Sequence, residues 1–126
     1  MIEFNDIRNL CKLREVDLVI APPIASFTLT LRGEFDGYGD FFRIAARDVE
    51  YVDLARGVTV GDLVFAMDLA QVTQLSPKWS QLGRIYSGMA LAIRAADADD
   101  WGTGHHDFLI VAAGFELHPG SDWRLP

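Results

Sequence analysis

The chain has 126 residues, half of them hydrophobic and 23% charged, a composition that suits one globular domain over 1–126 and argues against both a disordered segment and a second domain. Eighteen acids against eleven bases give a formal net charge of −7, which disfavours nucleic acid and anionic membrane as partners and favours a basic protein. The single cysteine, Cys11, cannot close an intramolecular disulfide, the opening MIEFNDIRN lacks the basic and apolar parts of a secretory leader, and the apolar run from Leu18 to Ala25 is too short to cross a bilayer, so a cytoplasmic protein is expected.

In chain order, Asn5 or Asp6 is placed to cap a helix over 7–15, with Ile7, Leu10, Cys11 and Arg14 on one side and Arg8 and Lys12 as a solvated pair on another. Val16 to Ala21 reads as a short buried strand ended by Pro22-Pro23. The clearest alternation follows, with Phe27, Leu29 and Leu31 on one face and Thr28, Thr30 and Arg32 on the other. Glycines at 33, 37 and 39 then make a turn-rich loop, which leads into 41–67 as two or three consecutive short strands. A bulge or turn near Arg47 and Asp48 is needed to bring Val49 and Tyr51 onto the inner face; Ala55-Arg56-Gly57 fits a hairpin turn, and Gly61 suggests a second bulge.

Beyond Met67, Leu69, Val72 and Leu75 are spaced like one side of a helical turn, and Ser76-Pro77 is a good start for a short helix over 77–83 with Trp79 as a core anchor. The segment 85–95 fits strand or helix, and strand is chosen because a polar loop and the dense apolar run from Phe108 to Ala113 follow it. Gly114 marks a further bulge or bend. The expected fold is therefore α+β, a predominantly antiparallel, meander-like β-sheet with an N-terminal helix and a short helix near 77–83.

No spacing dictates a chemistry. The loop AADADDWGTGHHDF brings Asp97, Asp99, His105, His106 and Asp107 close in sequence, a set able to ligate a divalent metal, with His118 as a further candidate. Against the calcium loop, Trp101 stands at the fifth position and Phe108 at the last, where the bidentate acid belongs. A solvated acidic hairpin tip is the simpler account. Ser87 with His106 and Asp107, or a carboxylate pair drawn from Glu34, Asp36, Glu50 and Asp53, can be named as catalytic sets, but no motif selects one, and no pattern calls for a cofactor. The balance favours a non-enzymatic binding module, in the manner of a small inhibitor or immunity protein that meets a basic partner. The alternative is a small-ligand or metal-binding protein or an enzyme that uses the Asp/His loop 97–107. The recognition residues expected are Asp97, Asp99, Asp100 and Trp101 in one acidic loop, and Glu34, Asp36 and Tyr38 in another, and an uncovered strand edge could pair two copies as a homodimer.

Overall fold

A computed structural model describes residues 2–21, 27–35, 39–96 and 106–120. Among these residues are one α-helix, α1 (Phe4–Leu13), and six strands: β1 (Val16–Ala21), β2 (Leu29–Phe35), β3 (Gly39–Asp53), β4 (Gly57–Ala66), β5 (Met89–Ala95) and β6 (Phe108–Pro119). Among the described residues no helix is long and apolar enough to cross a membrane.

The sheet is antiparallel throughout and closes into a barrel in the order β1-β2-β3-β6-β5-β4. Two three-stranded meanders, β1-β2-β3 and β4-β5-β6, pair through their edges, and the placement of β4 beside β1 is a Greek-key return. The expected antiparallel sheet and N-terminal helix are present; the closure is the part that alternation alone did not show. The break at Ala55-Arg56-Gly57 is accordingly no hairpin. β3 and β4 lie on opposite sides of the barrel, and residues 54–56 cross its end, with Leu54 packed against the interior cluster and Arg56 accepting a hydrogen bond from Ile20 N–H.

Each strand sends branched or aliphatic side chains inward, among them Leu18, Leu31, Ile44, Val60, Ile93 and Ile110, one from each of β1 to β6. A barrel of eight strands is just wide enough for its own side chains to fill, so six strands make a packed core rather than a ligand chamber. Close packing fixes the glycines too: a Cβ on Gly33 would stand 2.2 Å from the Phe42 ring, so only glycine lets that ring lie against β2.

Irregularities within the strands set which residues face out. Asp48 takes φ 51°, and after it Val49 joins the interior cluster as expected, whereas a register shift between Val49 and Tyr51 turns Tyr51 outward against Tyr86. Gly61 sits at a shift between Val60 and Asp62, so the inward series passes from Val58 and Val60 to Leu63 and Phe65. Past Ala112 the inward series on β6 moves to Phe115 and Leu117, with no shift of register against β3 at Gly114.

The segment between β4 and β5 forms four 3-10 turns, Leu69–Gln71, Thr73–Leu75, Pro77–Trp79 and Leu82–Arg84, in place of one helix over 77–83. The spacing explains this: Leu69, Val72 and Leu75 recur every three residues, the period at which 3-10 side chains eclipse, without the four-residue steps of an α-helix. These turns cover the outer face of β5 and β6, where Leu69, Val72 and the fully buried Trp79 pack on Ala90, Leu109 and Val111.

α1 starts earlier than the caps suggested. Glu3 is its N-cap, and Asp6 supplies the other half of a capping box by accepting from Glu3 N–H at 2.9 Å. β1 pairs β4 only as far as Val60, and beyond it α1 packs along β4, with Phe4 stacked on Phe65 at 4.3 Å and with Ile7 and Cys11 in the interior cluster.

Candidate functional site

The bulge at Gly61 turns Asp62 to the outside of the barrel, where α1 covers it. Asp62 is 8% exposed. Its Oδ1 accepts from Arg8 Nε at 2.9 Å and from Leu63 N–H at 2.9 Å, and its Oδ2 accepts from Arg8 Nη2 at 3.2 Å. Lys12 Nζ stands 3.9 Å from Oδ1, and Arg94 lies opposite Asp62 in the β4–β5 register. Arg8 and Lys12, one helical turn apart, thus converge on one carboxylate; the solvated pair expected from sequence is an ion-pair face. A lone acid in the apolar run 58–67 was the available signal for it.

His106 enters the same cluster from two residues before β6. The imidazole is buried, with Nε2 at 3.2 Å from Asp62 Oδ2 but not aligned for a hydrogen bond, and this nitrogen has no hydrogen-bond partner. Burial pushes the His106 pKa down and Arg94 and Arg8 add to the fall, while Asp62 pulls the other way; the ring is neutral at neutral pH. For Asp62, burial pushes the pKa up, but the hydrogen bonds and charge of Arg8, with His106 and Lys12 behind them, outweigh it and hold the carboxyl below its usual range. Cys11 is driven the opposite way: burial and the nearby Asp62 charge push its thiol up to about 12.

This chemistry is that of a fastening. A thiol held protonated is no nucleophile, and a carboxylate already taken by a bidentate guanidinium and a backbone N–H is no free base. The cluster ties α1, β4 and the start of β6 together. It also anchors one end of the β5–β6 connection, where His106 N–H donates to Leu75 O at 3.1 Å, Asp107 N–H to Ile93 O at 2.9 Å and Lys78 Nζ to Asp107 O at 2.6 Å. At the other end Ala96 N–H donates to Thr59 O at 2.7 Å. Beside this root runs an open groove of about 630 Å³ lined by Glu15, Ala55, Val58, Thr59, Ala95 and Phe108.

Of the residues singled out from sequence, Asp97, Asp99, Asp100, Trp101, His105, Asp36 and Tyr38 lie outside the described residues. Glu34 is half-buried near the end of β2 and pairs with Arg32 at 2.8 Å. His106 stands 3.2 Å from Asp62 with its Nε2 unpartnered, and Asp107 has a buried Oδ2 without a partner. Among the described residues no group of three or more His, Cys, Asp or Glu could hold a metal, and His118 lies toward the far end of β6 beside Glu116 at 3.4 Å. Among the described residues, neither Ser87 with Asp107 nor Glu34 with Glu50 is brought together. Ser87 precedes β5, whereas Asp107 bonds Ile93 within that strand, roughly 13 Å of strand beyond Met89. Glu34 pairs with Asp40 in register, and ten residues of β3, roughly 33 Å of strand, separate Asp40 from Glu50. No family model, curated protein or solved structure matches the chain.

Proposed function

We propose that this chain is a small acidic binding module that recognises a basic protein partner without catalysis, as an inhibitor or immunity protein does, with the β5–β6 connection as the recognising element. The observation that carries the reading is how the charge is divided. On the barrel, acids are drawn into local pairs: Asp62 with Arg8, Glu34 with Arg32, Asp53 with Lys78 at 3.2 Å and Glu116 with Arg47 at 3.3 Å. From Asp97 to Asp107 the sequence holds four acids and no base. A run of one sign on a connection rooted at both ends raises and orients the rate of encounter with an oppositely charged surface, and Trp101 supplies the large apolar contact that such a surface needs to become a lasting one.

The groove at the root of this connection offers a mainly polar wall that includes Glu15 to a cationic side chain of the partner. Glu34 on β2, with Asp36 and Tyr38 after it in the sequence, forms a separate contact in this reading. The cytoplasm is taken as the compartment.

The test is capture from the protein's own cell extract on the immobilised chain, beside a variant carrying Asp97→Asn, Asp99→Asn and Asp100→Asn. A basic protein should be retained at low salt, released as salt rises, and held about tenfold less well by the variant while its melting temperature stays unchanged. Equal retention of that protein by the variant would remove the three aspartates from the account.

A further inference from the structure

We infer that the His106–Asp62 contact is an acid-sensitive latch, and that a proton taken by His106 loosens α1 from the barrel. The inference does not depend on the recognition reading. It rests on a buried imidazole set against a carboxylate that cations on α1 already hold. Asp62 accepts two bonds from Arg8 and one from Leu63 N–H, and the His106 Nε2 stands 3.2 Å from Oδ2 without a hydrogen-bond partner. The ring is 6% exposed, and water cannot take up the unmet bond.

The described charges facing the ring come from three elements: Arg8 and Lys12 on α1, Asp62 on β4 and Arg94 on β5. Asp107 is its chain neighbour, and the 3-10 turns contribute the Leu75 carbonyl and Lys78, which bonds the Asp107 carbonyl. Two cations, Arg8 and Lys12, thus already stand on one carboxylate. Protonated His106, with both ring nitrogens donors, becomes a third beside the Oδ2 that Arg8 Nη2 holds. Arg94 is fixed in β5 and His106 by its backbone bond to Leu75. The cations able to yield are those on α1, where Lys12 and Arg8 have side chains 49% and 38% exposed and a short path to water. With them goes the polar hold of α1 on β4, leaving the packing of Phe4, Ile7 and Cys11.

Native-state hydrogen exchange of the α1 amides, corrected for the intrinsic pH dependence of exchange, tests this on the full chain between pH 7.5 and 5.5. Protection of Cys11, Lys12 and Leu13 should fall about tenfold in the wild type, stay level in His106→Gln, which cannot take a proton, and still fall in His118→Gln. Level protection in the wild type, or an undiminished fall in His106→Gln, overturns the latch. Should His106→Gln not fold, nitrogen NMR of the wild-type imidazole decides: protonation of His106 must coincide with the loss of α1 protection, and protonation without that loss overturns the latch equally.

Discussion

Removing the Asp62 carboxylate probes how α1 is held, and the geometry sets the size of the effect. Arg8 and Asp62 share two charge-assisted hydrogen bonds, of 2.9 and 3.2 Å, at a carboxylate whose side chain is 11% exposed. Breaking a fully buried pair costs about 3–5 kcal/mol, because a charge is left in an apolar surround. Here the cations left behind can turn to water, since the Arg8 side chain is 38% exposed and that of Lys12 49%. The expected cost of Asp62→Ala is therefore about 2–3 kcal/mol, below the fully buried range because of that discount. Arg8→Ala should cost about 1–2 kcal/mol, because Lys12 can close on the carboxylate from 3.9 Å. In a domain of this size each kcal/mol moves the melting temperature by roughly 3–6 °C. Urea unfolding at pH 7 of the two single variants and the double variant gives the coupling, expected at about 1–2 kcal/mol. A coupling under about 0.3 kcal/mol would mean that the two side chains do not act on each other and that packing alone holds the helix.

Stability should depend on pH in two steps. The folded-state pKa of His106 lies below its ordinary 6.5, so the unfolded chain takes the proton more readily: stability is constant above that value and falls as the pH drops through it. The folded-state pKa of Asp62 lies below its ordinary 3.8, so its contribution is complete above that pH and is lost below it, as the pH falls through the folded value. Urea midpoints between pH 8 and 3 follow both steps, and a midpoint that rises from pH 7 to 5 would contradict the first. Cys11 should resist thiol reagents in the folded protein at pH 8, given a thiol raised to about 12, and should label at the rate of opening; labelling as fast as a free thiol would refute its placement. Gly33→Ala should lower stability by about 1–3 kcal/mol, because its Cβ would fall within the space of the Phe42 ring, and a thermal melt within 2 °C of the wild type would show that the ring has somewhere else to go.

The strands were legible because alternation is local. Val16 to Ala21, Leu29 with Leu31, and strand over the 89–95 part of 85–95 follow from residues that each face one side, whereas Phe27, at φ 61° and exposed, falls outside β2; Gly61 and Gly114 mark the places where that alternation slips. Closure was not legible, because nothing in Ala55-Arg56-Gly57 separates a turn that returns to the same sheet from one that crosses a barrel end. The turns over 69–84 were half legible: the three-residue spacing was visible, but its meaning depends on the outer face of β5 and β6 that it covers. The Asp62 cluster stayed hidden because its members stand at 8, 12, 62, 94 and 106 and only the barrel brings them together. The acidic run 97–107 was plain as charge, and charge gives the sign of a partner without its identity.

The most direct test of the recognition claim is the association rate constant with the captured basic partner, measured by stopped flow across a range of salt for the wild type and for the Asp97→Asn, Asp99→Asn, Asp100→Asn variant. The account predicts a steep fall of the wild-type rate with salt, and a variant that starts about tenfold slower and depends on salt more weakly, with both converging at high ionic strength. Superimposable curves for the two proteins would contradict it.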